Sequence, residues 1–188
     1  MNSKYLILFV LFVTLLACNS ASEKSVESTD ASFTNNTNST SVPKLASENI
    51  EIPDNRELAT YQLLFFGNSH TWHVPELVKT IIKAANPGKN VIIQVGQGIP
   101  FLDERLNDSN SVALLQSKNW SHVILQGQKY SQSGTRTYST VEAQTWIQLA
   151  KAQGATPILY PEHPQRGNPV EGGRVHNLHT SIAEQQAS

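Results

Sequence analysis

A serine stands where an apolar run gives way to a helix-like segment, in the sequence Gly67-Asn68-Ser69-His70-Thr71. The preceding residues 63–66 are wholly apolar and end at a glycine, which is typical of a buried strand. Pro75 and Glu76 follow and suit the first turn of a helix. A hydroxyl at such a turn lies at the carboxyl edge of a sheet, where backbone N–H groups can surround a nucleophile. Because serine also commonly caps helices, two interpretations stay open: Ser69 is a nucleophile or a helix cap.

Three other predicted strands are followed by residues that can serve catalysis. These are the segments Gly96-Gln97-Gly98, Gln126-Gly127-Gln128 and Glu162-His163. The carboxyl ends of parallel strands meet at one edge of a sheet, so these segments and Ser69 converge on one crevice. The set suits acyl transfer, in which the Ser69 oxygen attacks an ester carbonyl while backbone N–H groups and a side-chain amide hold the oxyanion. Taken alone, Gln126 is better explained as a polar strand end, and the glycines equally well as a plain turn.

The elements that position these residues alternate along the chain. Strands are predicted at residues 61–66, 90–95, 121–126 and 156–160. Helices are predicted at residues 75–85, within 101–117, at 139–154, and from about Gly173 onward. Because helical segments separate the strands, we predict an α/β fold with a parallel sheet covered by helices on both faces.

These residues resemble the sequence blocks of the SGNH/GDSL hydrolase superfamily, whose members place Ser, Gly, Asn and His in four separate blocks. The Ser69 segment resembles the first block, with Asn68 where many members have Asp, and Gly98 resembles the second, although Gly96 also fits. Gln126-Gly127-Gln128 departs from the usual Gly-x-Asn and is closer to the Gln-Gly-Glu of the carbohydrate-acetylesterase branch. The resemblance covers residues 61 to about 160 and implies a three-layer α/β/α, flavodoxin-like fold. It also implies an esterase acting on a carbohydrate or other small-molecule ester, with Ser69 as nucleophile and Gly98 and Gln126 as oxyanion donors.

The fourth block of that superfamily, an Asp-x-x-His near the C-terminus after a fifth strand, has no counterpart here, since the last aspartate is Asp108. Without that histidine no evident base deprotonates Ser69, and an unassisted serine is a poor nucleophile. His163, beside Glu162, is a substitute, but a loop histidine in a proline-rich turn is the simpler interpretation. We therefore expect a truncated or interrupted hydrolase with a sheet incomplete at its C-terminal end. The alternative function is a catalytically inactive surface module that binds a ligand in the same crevice.

No cofactor, metal ion or nucleic-acid partner is predicted. The formal net charge is −1, and no basic block is present. Two histidine pairs, His70 with His73 and His176 with His179, have a spacing that can place two imidazoles on one helix face. Neither pair has an evident third ligand nearby, so exposed or hydrogen-bonded histidines explain them better.

The N-terminal residues 1–18 resemble a bacterial lipoprotein signal. Lys4 precedes an apolar stretch of about a dozen residues, which is too short to span a bilayer comfortably. The stretch ends in Leu15-Leu16-Ala17-Cys18, similar to a lipobox, in which the chain is cut before the cysteine and a lipid is attached to its sulfur. An ordinary secretory signal with an incidental Cys18 is the alternative interpretation.

Residues 19–57 are rich in Ser, Thr, Asn, Glu and Ala and poor in large apolar residues, so they are predicted to form a disordered tether. The hydrolase-like domain would then occupy residues 58–188. A lipid on Cys18 would anchor this domain to a membrane of the bacterial cell envelope, facing the periplasm or the exterior.

Metabolic labelling with a radioactive fatty acid tests the anchor. We expect the wild-type chain to take up the label and Cys18→Ser to lose it, because Cys18 is the single cysteine and carries the only thiol. Ser20→Ala, two residues beyond, is the matched control and should label normally. A labelled Cys18→Ser protein would contradict the lipoprotein interpretation.

Overall fold

The computed structural model describes residues 50–127 and 139–187. Four strands are present in these ranges: β1 (Thr60–Phe66), β2 (Asn90–Gly96), β3 (His122–Leu125) and β4 (Thr156–Leu159). The helices are α1 (Val74–Ala85), α2 (Leu102–Leu106), α3 (Ser109–Gln116), α4 (Val141–Ala152) and α5 (Glu171–Gln185). A single 3₁₀ turn, Ser69–Thr71, lies between β1 and α1. The predicted signal, Cys18, the tether up to residue 49, and Gln128 lie outside the described residues.

The four strands form one parallel sheet in the order β2-β1-β3-β4. Leu63 at the centre of β1 pairs with Ile93 on one side and with His122 on the other. The chain therefore moves outward from β1 to β2 and then crosses back to continue on the opposite side. This reversal places the ends of β1 and β3 next to each other, the position at which open α/β sheets bind ligands. The predicted parallel α/β sheet is confirmed.

Alternating side chains of β1 enter two cores. Leu64 and Phe66 face a larger core built with α2, α3, α4 and α5, whereas Leu63 and Phe65 face a smaller core under α1. All four side chains are buried, because a central parallel strand is covered on both faces. The sheet is thus the middle layer of a three-layer α/β/α arrangement, as predicted.

Coverage of the α1 face is uneven across the sheet. α1 packs over β1 and β2, but Ile158 of β4 is 42% exposed and Tyr160 is 36% exposed. These two residues border an apolar groove of about 240 Å³ that runs beside α1. Among the described residues, α1 therefore leaves part of β4 uncovered on this face of the sheet.

The folded unit includes residues that the sequence analysis assigned to the tether. The Asn55 side chain donates hydrogen bonds to the carbonyl oxygens of Ser121 and Gly154, both at 2.9 Å. Thr156 donates its hydroxyl proton to the carbonyl of Pro53 at 2.5 Å. Residues 53–55 are therefore fastened to the N-terminal ends of β3 and β4. No helix among the described residues is both long and apolar enough to cross a membrane.

Gly96 offers a test of how tightly the ends of β1 and β2 are packed. A Cβ at this position would lie 2.6 Å from the Phe66 ring and 3.0 Å from the Arg105 guanidinium, and both of those side chains are fully buried. We expect Gly96→Ala to destabilise the fold by about 2 kcal/mol through overpacking, measured by urea unfolding. Gly173→Ala is the control, because it adds a methyl group in open space on a helix and should be neutral or stabilise by up to about 1 kcal/mol. Equal effects of the two substitutions would contradict this packing.

Candidate active site

Ser69 is exposed at the carboxyl end of β1, where the chain turns into a 3₁₀ turn. Asn68 caps this turn, because its side-chain oxygen accepts a hydrogen bond from the N–H of His70 at 3.0 Å. His73 occupies the N-cap of α1 and makes no side-chain cap there. Within the described part of the chain no group hydrogen-bonds to the Ser69 hydroxyl. Of the two interpretations of Ser69, the structure removes the helix cap and leaves the hydroxyl available for chemistry.

A buried polar network fixes the backbone just before Ser69. The Asn68 N–H donates to the Gln126 side-chain oxygen at 2.8 Å. The Asn68 and Gln126 amide groups each donate to the same oxygen of Glu162, Oε1, at 3.1 Å. Gln126 follows β3 and Glu162 follows β4, so three strand ends meet in this network. Such a fully bonded buried network holds its members in one geometry.

Gln126 belongs to this network and not to the surface of the site. Its side chain is fully buried, and its oxygen and its amide group are both engaged by hydrogen bonds. The structure therefore shows Gln126 positioning the Asn68 loop from below. The role of Gln126 as an oxyanion donor stays a prediction. The resemblance to the SGNH/GDSL superfamily suggested that role but did not indicate that Gln126 also positions the Asn68 loop.

Ser69 and the loop after β2 line one open pocket of about 470 Å³. Gly98 lies on its wall with φ of +81°, in the left-handed region, and no atom of the described residues, apart from its chain neighbours, lies within 4 Å of where its Cβ would be. Gly96 also lines the pocket but is buried against Phe66. Of the two candidates for the second block, Gly98 is the one whose backbone is presented in an open loop beside Ser69.

Arg105 ties the two walls of this pocket together from behind. Its guanidinium donates to the carbonyl oxygens of Gly67 at 3.1 Å and Gly96 at 3.0 Å. It also lies over the Phe66 ring, with 4.9 Å between the guanidinium carbon and the ring centroid. Burial lowers the pKa of Arg105, while the negative charge of Asp108 opposes that effect. Sequence reasoning missed Arg105, because an arginine in a polar helical segment is typical of a solvent-exposed face.

His163 is brought to the same edge as Ser69. Its ring stacks on the ring of His70, with centroids 4.5 Å apart and planes inclined by 20°. Its Nδ1 lies 3.0 Å from the carbonyl oxygen of Pro164. A carbonyl can only accept, so this hydrogen bond places the proton on Nδ1 and leaves Nε2 of the neutral ring unprotonated. That tautomer is the one a general base requires.

The remaining histidines do not form a metal centre in the described residues, where no group of three or more His, Cys, Asp or Glu side chains is arranged to hold an ion. His179 is buried in α5, with its Nδ1 2.8 Å from the carbonyl of Val175. Burial lowers the pKa of His179, and the charge of Glu162 acts in the opposite direction. His176, its partner in the spacing pattern, is exposed.

No protein-family model and no curated protein sequence matches this chain. Solved structures do. A proposed SGNH hydrolase from Slackia heliotrinireducens superposes with a TM-score of 0.54 at 21% identity, covering 69% of this chain and 77% of that one. The psychrotrophic esterase EstA from Pseudoalteromonas sp., in a structure inhibited by monoethylphosphonate, has a TM-score of 0.49 at 14% identity, with 66% of this chain and 73% of that chain covered.

The parallel sheet of order β2-β1-β3-β4 between two helical layers defines a flavodoxin-like α/β protein. Within that class, the likeness to the Slackia structure shows that the chain has the fold of an SGNH hydrolase. The predicted resemblance to the SGNH/GDSL superfamily is thereby confirmed at the level of the fold.

The Asn68 amide donates to a carboxylate oxygen of Glu162, so a negative charge introduced at position 68 should lower the stability of the fold. We expect Asn68→Asp, the residue that many superfamily members carry, to destabilise this chain by about 2 kcal/mol, because it replaces a half-buried donor to the buried Glu162 by a second carboxylate. Urea unfolding measures the effect. Adding Glu162→Gln should recover most of the loss, since the glutamine amide can donate to the carboxylate introduced at position 68.

Asn110→Asp is the matched control for this prediction. Asn110 is exposed and its side chain also faces a carboxylate, that of Asp108, at 3.4 Å. Solvent screens this pair, so its cost should stay below about 0.5 kcal/mol. A loss in Asn68→Asp no larger than in Asn110→Asp would contradict the buried network.

Proposed function

We propose that this protein is a serine ester hydrolase that removes an acetyl group from a carbohydrate. The observation that carries the proposal is the Ser69 hydroxyl, exposed in an open pocket while Asn68 performs the capping. The fold shared with an SGNH hydrolase structure and the resemblance of the Ser69 and Gln126 segments to sequence blocks of that superfamily support the same chemistry. The predicted lipid on Cys18 would place the reaction at the bacterial cell envelope.

In the proposed reaction the Ser69 oxygen attacks the ester carbonyl carbon and its proton passes to a base. The N–H groups of Ser69 and Gly98 are the proposed donors to the oxyanion, since the N–H of Asn68 is already bonded to Gln126. Collapse of the tetrahedral intermediate releases the alcohol, which takes the proton, and leaves an acetyl group on Ser69. Water then attacks this acyl-enzyme and releases acetate.

His163 is the proposed base. Its ring stacks on that of His70, the residue after Ser69, and its Nδ1–H donates to the Pro164 carbonyl, so Nε2 is the nitrogen that can accept the serine proton. Among the described residues Nε2 makes no hydrogen bond to the Ser69 hydroxyl, so the proposed reaction requires the two groups to approach each other when substrate binds. A neutral carbonyl stabilises the resulting imidazolium less than a carboxylate does, which is the role of the aspartate in a full triad. Hydrolysis by this chain is therefore expected to be slow.

A serine-directed fluorophosphonate probe and an activated acetyl ester test the proposal together. We expect the wild-type chain to be labelled and to hydrolyse the ester slowly, and Ser69→Ala to lose both. His163→Ala should lower the hydrolysis rate by about a hundredfold, the scale of a general base. His73→Ala is the matched control, because His73 is also exposed but makes no side-chain cap, and it should keep the wild-type rate.

The outcomes separate the two candidate functions. Labelling that survives Ser69→Ala would contradict Ser69 as nucleophile, and a rate unchanged in His163→Ala would contradict the proposed base. A folded wild-type chain that is neither labelled nor active, yet binds an acetylated sugar, would support the inactive binding module instead. The observation that favours this second candidate is that, within the described residues, the Ser69 hydroxyl has no hydrogen bond to a base.

A further inference from the structure

Trp72 is unusually exposed for a tryptophan. Its accessible fraction is 79%, whereas Trp120 and Trp146 are 2% and 0% exposed. A large indole surface left in water forgoes the free energy of its burial, and tryptophan is mostly buried in folded proteins. An exposed indole beside a pocket is thus a surface that a ligand can cover.

The position of Trp72 is set by the same short turn that presents Ser69. The Trp72 N–H donates to the carbonyl of Ser69 at 3.3 Å, and Trp72 directly follows the 3₁₀ turn. Both residues line the pocket of about 470 Å³, which lies within the range of small-molecule sites of roughly 300–1,000 Å³. A group bound against the indole is therefore next to the proposed nucleophile.

The pocket combines an apolar wall with polar groups. Trp72, Pro75, Ile99 and Pro100 supply apolar surface, and Gln97 adds an exposed amide. A pyranose ring has a matching character, because one face presents C–H groups and its edge presents hydroxyls. An alkyl chain would cover the apolar wall but would remove the Gln97 amide from water without offering it a hydrogen bond.

We propose that Trp72 is the specificity-determining residue of the site and stacks against the sugar ring that carries the scissile ester. This inference rests on the proposed ester hydrolysis and adds the residue that recognises the alcohol part of the substrate. Stacking on the indole would hold the ring while an ester group on its edge reaches Ser69. Esters of small alcohols lack this contact and would gain nothing from Trp72.

Binding is tested without turnover in the full-length Ser69→Ala chain, with glucose 6-acetate, which keeps its other hydroxyl groups, as the probe and ethyl acetate as the comparison. Iodide quenching of tryptophan fluorescence reports mainly on Trp72, because the other two tryptophans are buried. We expect acetylated glucose, but not ethyl acetate, to protect the fluorescence from iodide.

Saturation-transfer NMR should show affinity for the sugar about five- to tenfold weaker in Trp72→Ala, intermediate in Trp72→Phe, and unchanged in Leu77→Ala. Leu77 is the control because it is exposed on α1 and lies outside the pocket.

Kinetics with the chain that retains Ser69 distinguish this inference from the proposed function. Trp72→Ala should raise KM for acetylated glucose about five- to tenfold and leave the hydrolysis of ethyl acetate unchanged. Sugar binding that depends on Trp72, in a chain that shows no hydrolysis, would support the stacking role of Trp72 and contradict the proposed hydrolase function. Hydrolysis of ethyl acetate without any Trp72-dependent sugar binding would contradict the stacking role of Trp72 and support the proposed hydrolase function. An equal loss of hydrolysis of both esters in Trp72→Ala would also contradict the stacking role of Trp72.

Discussion

The site depends on one buried cation. The Arg105 guanidinium bonds to the carbonyls of Gly67 and Gly96, the residues at which the chain leaves β1 and β2. Gly96 is the last residue of β2 and Gly67 directly follows β1, so both carbonyls lie where strand pairing ends and need another hydrogen-bond donor. Their dipoles in turn solvate a charge that has no carboxylate in contact among the described residues. The carbonyls need a buried donor and the cation needs buried acceptors, so each accounts for the presence of the other.

The carboxyl edge of the sheet is divided into a closed side and an open side. Asn68, Gln126 and Glu162 fill the space between the ends of β1, β3 and β4, which is the switch point of the strand order. The open pocket lies on the other side, between the ends of β1 and β2. Ser69 stands at the boundary, with a rigid neighbour on one side and solvent on the other. A serine hydroxyl held in this way would need little reorganisation to act as the proposed nucleophile.

The sequence predicted the strands, their parallel direction and the location of Ser69 after the first strand, because short apolar runs bounded by turn residues indicate buried strands. It left the cap ambiguous, since Asn and Ser cap helices about equally well and only the fold decides that Asn68 does so here. Arg105 was missed because its acceptors are backbone carbonyls, which leave no trace in side-chain patterns. Trp72 was missed for a related reason: a tryptophan near a helix start usually signals core, and its exposure depends on where α1 lies.

The two glycines of the pocket loop are required for different reasons, and the difference has an evolutionary consequence. Gly96 is limited by volume, because neighbouring side chains occupy the space of a Cβ. Gly98 has open space around it but a φ of +81°, so its limit is handedness alone. Asparagine tolerates the left-handed region better than most side chains, so it is the replacement that should strain the backbone least at position 98. At position 98 a D-alanine introduced by semisynthesis would adopt the positive φ without strain and would make the loop stiffer than glycine does.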